Sequence, residues 1–326
     1  MDRAWTTWVA VVVVVAAGTL VVDRATLGAT ASALARSPLP LLGALAAYTL
    51  AFVLRAAAWG ALLPGHVAVP LGRRVRALFA MLAVNHALPG PVGELARARV
   101  VATPTSSPRL FCNFLRNTQE IAEKSAAPPS PSPEVTFRQA LLSVVAARVV
   151  DVGAIAVLLV AGAVAAGSAL PGWARVAAPV GVVLPFGALW VARRRGASLT
   201  WRAGARSMAW AVPSWGLECF VLVAVAQAAG VEVSLAGAVL ATCAGVLAQV
   251  AAVLPGGVGT YEAGVTSALV VLGVPADVAL AVAASTHVVK FAYAFAVGVP
   301  ALTSVDFSAI HCVLRSELQK SRVGVG

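Results

Sequence analysis

Long apolar runs separated by short basic segments dominate the pattern of hydrophobic and polar positions along this chain. Runs of about 20 apolar residues are typical of helices that cross a bilayer, whose hydrocarbon core is about 30 Å thick. The first run has an alternative interpretation as a signal peptide, with a cleavage site at residues 31–33. The pattern predicts six full spans, at residues 4–22, 39–63, 140–165, 176–192, 207–231 and 278–303.

Two further apolar segments are interrupted by similar motifs, LPGPVGE at residues 88–94 and LPGGVGTYE at residues 254–262. The run before the first motif, residues 78–88, is too short to cross the bilayer as a helix. Pro and Gly disrupt helical hydrogen bonding, and such backbone is tolerated at membrane depth only where protein or a hydrated cavity surrounds it. We therefore predict two re-entrant broken hairpins around a polar site, the second continuing into a short helix at residues 263–274.

The basic loops at residues 73–76, 97–138 and 193–206 set the expected orientation, because Lys and Arg favour the cytosolic side. Both termini are then cytosolic. Three spans separate the hairpins, so the hairpins approach from opposite sides, as in the inverted repeats of secondary transporters. The alternative is that the second motif only joins two full spans.

The expected fold class is therefore all-α: a polytopic helical membrane protein with about six full spans, two re-entrant hairpins and an inverted repeat. We expect a single membrane domain over residues 1–326. Within it, residues 103–136 read as a polar, Ser/Pro-rich cytosolic insert, and residues 304–326 as a cytosolic tail. The expected location is the cell (plasma) membrane.

Composition supports the membrane class and excludes several functions. Of the 326 residues, 60% are hydrophobic and 11% charged, whereas soluble domains are about 25% charged. The net charge is +11, and the Lys and Arg residues lie in short loops between the spans. In that position we expect them to contact anionic lipid and not to bind nucleic acid. The sequence contains no nucleotide-binding loop, no GxSxG elbow, no HExxH and no CxxC. We expect no cofactor, no metal and no enzymatic activity.

Charged residues inside the predicted spans are the first candidates for a functional site. Each costs about 2.5–3.5 kcal/mol at mid-bilayer, so it is expected to face the protein interior and find a partner. Arg148 and Asp151 are three residues apart and are expected to form an ion pair, which in the alternative interpretation is structural. Glu218 has no cation within one turn, so it must either find a cation on another helix, for which His287 and Lys290 are candidates, or be protonated.

The two motifs add candidates of a different kind. Pro89, Gly90 and Gly93 break the first segment, and the second motif breaks the other in the same way. The N–H groups at the start of each returning helix form a candidate anion site for a phosphate. Glu94 and Glu262 lie in the first turn of these helices. They are expected to pair with a cation of the protein or substrate, or, in the alternative, to be ordinary helix N-terminal acids.

Four stretches of the chain form a recognisable set: FVLRAAAW around Arg55, NHALPGPVGELARA at residues 85–98, AARVVDVGAI at residues 146–155 and LPGGVGTYEAG at residues 254–264. Together they resemble the flippase-like, lysylphosphatidylglycerol synthase transmembrane-region family, the membrane half of the bacterial multiple peptide resistance factor. The resemblance implies a helical bundle with broken helices that moves or handles phospholipid or lipid-linked glycan. The chain departs from the family in three ways: the aminoacyl-transferring half is absent, His287 stands where the family tends to have an arginine, and residues 103–136 are longer than the usual connection.

We therefore expect a protein that flips a phospholipid or lipid-linked substrate between leaflets. One alternative is a non-transporting accessory protein that partners a lipid-modifying or glycan-synthesis membrane enzyme. The other is an intramembrane headgroup transferase using Asp151, Glu218 and Glu262. The expected headgroup-binding residues are Arg55, Pro89, Gly90, Gly93, Glu94, Arg97, Arg148, Asp151, Glu218, Pro255, Gly256, Gly257, Gly259, Glu262, His287 and Lys290.

Overall fold

A computed structural model of the chain confirms the all-α class: in its described part every regular element is a helix. The described residues are 24–36, 38–64, 68–88, 92–102, 135–167, 200–249 and 254–303, with five single positions between 179 and 194. The helices are α1 (Arg24–Arg36), α2 (Pro38–Gly60), α3 (Leu71–Ala87), α4 (Val92–Ala102), α5 (Phe137–Ala165), α6 (Trp201–Leu217), α7 (Cys219–Ala228), α8 (Leu235–Gln249), α9 (Thr260–Val271) and α10 (Ala276–Thr303), with a 3₁₀ turn at Pro255–Gly257.

Four helical segments are long and apolar enough to cross a membrane: Pro38–Gly60, Phe137–Ala165, Trp201–Ala228 and Ala276–Leu302. They correspond to four of the six predicted spans, and the chain is a helical membrane protein. The other two predicted spans, the insert and the tail lie outside the described residues, apart from Val135, Thr136 and the single positions. Helix α1 was not predicted.

Polar caps set where two of these spans begin. Thr136 and Gln139 form a capping box, in which each side chain accepts a backbone N–H of the other, at 3.2 and 3.0 Å. Thr200 Oγ1 accepts the N–H of Ala203 at 3.1 Å. Helix α5 therefore begins at Phe137 instead of residue 140, and α6 at Trp201 instead of residue 207.

The two interrupted segments form helical hairpins. Helix α3 packs against α4, and α8 packs against α9. These helices have 17, 11, 15 and 12 residues, so at about 1.5 Å per residue none spans a core of about 30 Å. The turn Pro255–Gly257 contacts α3, so the tip of the second hairpin meets the first hairpin. Their approach from opposite leaflets, and the inverted repeat, stay predictions.

Small residues let the two arms of the second hairpin approach closely. A Cβ atom added to Gly264 would lie 2.6 Å from the carbonyl oxygen of Ala244 and 2.8 Å from the Cα atom of Gly245. Such glycine crossings are typical of helix pairs in lipid, where packing replaces the hydrophobic effect. The second hairpin is therefore a tightly packed unit.

Candidate functional site

A polar cavity of about 490 Å³ lies where the two hairpins meet the spans. We call it the central cavity. Asn85 and His86 line it from α3, and Gln249, Leu254 and Gly256 line it from the second hairpin. Nine of the predicted site residues line this cavity: Arg55, Glu94, Arg148, Asp151, Glu218, Gly256, Gly257, His287 and Lys290.

Glu218 lies at the junction of α6 and α7 and joins three parts of the bundle. Its carboxylate forms ion pairs with Arg55 of α2 and Lys290 of α10. The three residues are 3%, 8% and 5% exposed, respectively. The Arg55 guanidinium also lies 3.5 Å from the ring centre of Trp215, a cation–π contact. The partner that Glu218 requires is thus supplied by Lys290, as predicted, and by Arg55.

Glu94, in the first turn of α4, forms a second cluster. Its carboxylate pairs with Arg148 of α5 and lies 3.4 Å from Arg97 Nη1. The Arg97 guanidinium lies 3.9 Å from the ring centre of Trp59. Arg97 is 2% exposed and does not line the central cavity, so its contact with a ligand there would be indirect.

The predicted ion pair between Arg148 and Asp151 is wrong. Arg148 directs Nε and Nη2 to Glu94 on the neighbouring α4, and Asp151 accepts the Trp215 Nε1–H at 2.9 Å. Spacing of three residues makes two side chains neighbours on one helix. Here a second helix offers the guanidinium a carboxylate, and both Nε and Nη2 approach its Oε1 atom in charge-assisted contacts.

A smaller chamber of about 30 Å³ adjoins this region and is lined by three arginines, Arg55, Arg97 and Arg148, with Asp151 and Ser207. We call it the arginine chamber. Among the described residues, the buried Nε atoms of Arg55 and Arg97 have no hydrogen-bond partner. Buried N–H groups are normally satisfied, so these two donors favour a water or an anion in the chamber.

Side-chain amides hold both helix breaks. Asn85, in the last turn of α3, accepts the N–H of Gly93 at 2.8 Å. Gln249, the last residue of α8, donates to the carbonyl oxygen of Gly256 at 2.7 Å. Gly256 and Gly257 have φ of +63° and +75°, a backbone region that favours glycine. Each break is thus secured by the helix that precedes it, which satisfies backbone groups freed from helical bonding.

The helix-start N–H groups that the sequence assigned to a phosphate are partly occupied. The Gly93 N–H donates to Asn85, and the Gly259 N–H donates to Glu262 at 2.7 Å. Glu262 thereby caps its own helix, which is the alternative considered for it, while its other oxygen, Oε1, lies 2.7 Å from His287 Nδ1, a cation of the predicted kind when that ring is protonated. It does not line the central cavity, and neither do Gly93, Pro255 and Gly259, while Pro89 and Gly90 lie outside the described residues.

His287 of α10 links the turn of the second hairpin to α9. Its Nδ1 lies 2.7 Å from Glu262 Oε1, and its Nε2 lies 3.1 Å from the Gly256 carbonyl oxygen. Both partners are acceptors, so both contacts are hydrogen bonds only when the ring carries two protons. In that state the imidazolium supplies two N–H donors, as an arginine would.

Sequence reasoning missed the aromatic and amide residues of the site. Trp59 and Trp215 support the guanidinium groups, and Asn85 and Gln249 secure the breaks. One signal was available: Asn85 and Gln249 are isolated amides in apolar runs, a few residues before a Pro-Gly pair. The two tryptophans carried no comparable signal, because aromatic residues occur throughout membrane helices.

The family model of the lysylphosphatidylglycerol synthase TM region matches residues 192–298. This match confirms the resemblance. It covers roughly a third of the chain, including Glu218, the second hairpin and most of α10. No curated protein and no solved structure matches the chain. The family connects the chain with membrane proteins of lipid modification or transport.

Proposed function

We propose that this protein translocates a phospholipid or lipid-linked substrate between the leaflets of the cell membrane, with both chain termini in the cytosol. This proposal rests on the central cavity of about 490 Å³, which has charged residues in its lining and lies where the two broken hairpins meet. A hydrated, charged pocket can hold a headgroup that would otherwise lose its hydration in hydrocarbon. The acyl chains stay in the lipid phase.

Arg55 and Arg148, the two arginines that line the central cavity, are the proposed phosphate ligands. Arg55, Arg97 and Arg148 surround the arginine chamber, and two of them have unpartnered buried Nε donors. Guanidinium groups bind phosphate through paired N–H donors. Arg148 is the proposed first contact, because its side chain is 43% exposed while that of Arg97 is 3% exposed.

The acids of the site favour transport over headgroup chemistry. Two of the three candidate acids are engaged by the protein itself, because Glu218 is held by Arg55 and Lys290, and Glu262 caps α9. Asp151 accepts one hydrogen bond, from Trp215, and among the described residues no second acid is free beside it. A general acid or base needs a free position within hydrogen-bond reach of the reacting group. We therefore propose that the protein is not an enzyme.

Leaflet exchange in reconstituted liposomes tests the function. Labelled lipids with anionic, zwitterionic and aminoacylated headgroups are followed from the inner to the outer leaflet. The key variant is Arg148→Gln, and the matched control is Arg206→Gln, which changes an exposed arginine outside the cavity. Hydrogen bonds to a charged group contribute about 1.5–3 kcal/mol, so Arg148→Gln should slow exchange about 10- to 100-fold.

Two results would contradict the proposal. If wild-type protein gives no exchange above empty vesicles for any of the three headgroup types, transport is excluded. If Arg148→Gln and Arg206→Gln exchange lipid equally fast, the central cavity is not the route. Co-purification of a membrane enzyme without exchange would favour the accessory function.

A further inference from the structure

An apolar groove lies between α4 and α5 on the outside of the bundle, with a volume of about 530 Å³. We call it the lateral groove. Two of its residues, Leu95 and Val145, are 50% and 54% exposed. Its apolar walls are formed by Val92 and Leu95 of α4 and by Leu141, Val145, Val149 and Val152 of α5.

Two charged residues also line the lateral groove. They are Glu94 and Arg148, and these two residues, with Val152, also line the central cavity. The ion pair between Glu94 and Arg148 therefore lies at the boundary between the groove and the cavity. The lateral groove is thus lined mainly by apolar residues and shares its two charged residues with the central cavity, a combination that suits a molecule with an apolar part and a charged part.

We propose that the lateral groove holds a hydrocarbon chain of the transported lipid while its headgroup passes the Glu94–Arg148 pair into the central cavity. The inference rests on the proposed function and adds the route. It commits to a hydrocarbon chain because seven of the nine lining residues of the groove are Val or Leu, and because its two charged residues also line the cavity that would take the charged end of the same molecule.

The cluster around Glu94 provides a way to open this boundary. When Arg148 moves to an incoming phosphate, Glu94 keeps Arg97, which lies 3.4 Å away and is buried. The carboxylate is thus not left as an unpaired buried charge, which would be strongly destabilising. Arg148 exchanges one anionic partner for another, and the second arginine makes that exchange feasible.

A bulky side chain in the groove tests the route. Val145→Trp fills the space between α4 and α5. The matched control is Val157→Trp, the same change at another exposed valine of α5 that does not line the groove. Leu95→Trp fills the groove from α4 and is the second test variant, which replaces Val145→Trp if that protein does not purify in monodisperse form.

Two measurements are made on full-length protein in phosphatidylglycerol and phosphatidylethanolamine vesicles. The first locates covalent adducts of a phosphatidylglycerol that carries a photoreactive diazirine in one acyl chain. The second is lipid exchange. We expect adducts to be enriched on α4 and α5 at the groove, and Val145→Trp to reduce both these adducts and the exchange rate about tenfold while Val157→Trp leaves them unchanged.

Each other result overturns one proposal. Adducts spread evenly over the lipid-facing helices, or absent from the groove, exclude the chain site. If the single variants Val145→Trp and Leu95→Trp both exchange lipid at the wild-type rate, the groove is not the route, but the proposed function still stands. Absence of exchange in the wild-type protein removes the proposed function, and the adduct map alone then decides whether the groove binds a lipid chain.

Discussion

Replacing Glu218 with Gln should be the most destabilising conservative change in the central cavity. Glu218 is 3% exposed and is the carboxylate partner of both Arg55 and Lys290. The substitution keeps the side-chain shape but leaves two buried cations without an anion. Breaking a buried ion pair costs about 3–5 kcal/mol, because the remaining charge stays desolvated.

A second substitution, Lys290→Met, tests whether unpaired buried cations cause the loss of stability in Glu218→Gln. Lys290→Met alone leaves Glu218 paired with Arg55, so its cost should be smaller than that of Glu218→Gln. In the Glu218→Gln background, Lys290→Met reduces the number of unpaired buried cations from two to one. It should therefore recover part of the lost stability, although each single change is destabilising.

Thermal unfolding of the detergent-solubilised protein provides the assay. A loss of about 3–5 kcal/mol should lower the midpoint by on the order of 10 °C. Glu232→Gln is the matched control, since Glu232 is an exposed acid beyond α7. The reasoning fails if Glu218→Gln and Glu232→Gln unfold at the same temperature, or if the effects of Glu218→Gln and Lys290→Met simply add.

Two further predictions concern the second hairpin. His287→Arg should retain the hydrogen bonds to Glu262 and Gly256, whereas His287→Phe should lose both and lower stability by about 3 kcal/mol, measured by thermal unfolding. Equal stability of His287→Phe and the wild-type protein would show that these two contacts do not stabilise the fold. Gly264→Ala should cost about 1–3 kcal/mol through backbone overlap, while Gly216→Ala, with open space around its Cα, should be neutral or stabilising. Equal unfolding temperatures for these two variants would contradict the close helix crossing.

The spans and the broken hairpins were predictable because hydropathy and helix-breaking residues act locally. Four predicted spans occur with shifted ends, and for two of them the earlier start follows from the polar caps Thr136 and Thr200. The demand of Glu218 for a cation on another helix was also predictable, because a lone buried acid needs one. In these cases a local property of the sequence predicts what the tertiary structure must provide, such as a partner for a buried charge.

The choice of partner was less predictable. Arg148 and Asp151 satisfy the spacing rule for one helix, yet each has its partner on another helix. Glu262 carries the same sequence signature as Glu94, but it caps α9 whereas Glu94 binds two arginines. These differences depend on which helices become neighbours, and that information lies in packing and not in local pattern.

The charge pairing in the central cavity bears on the insulation of the membrane. Its strongly charged lining comprises three acids, Glu94, Asp151 and Glu218, and three bases, Arg55, Arg148 and Lys290. A small ion that reaches the pocket therefore meets almost no net attraction and remains less stable there than in bulk water. Under the proposed function, a pocket with balanced charges takes up an amphiphile that carries charges of its own while it resists leakage of inorganic ions along the electrochemical gradient.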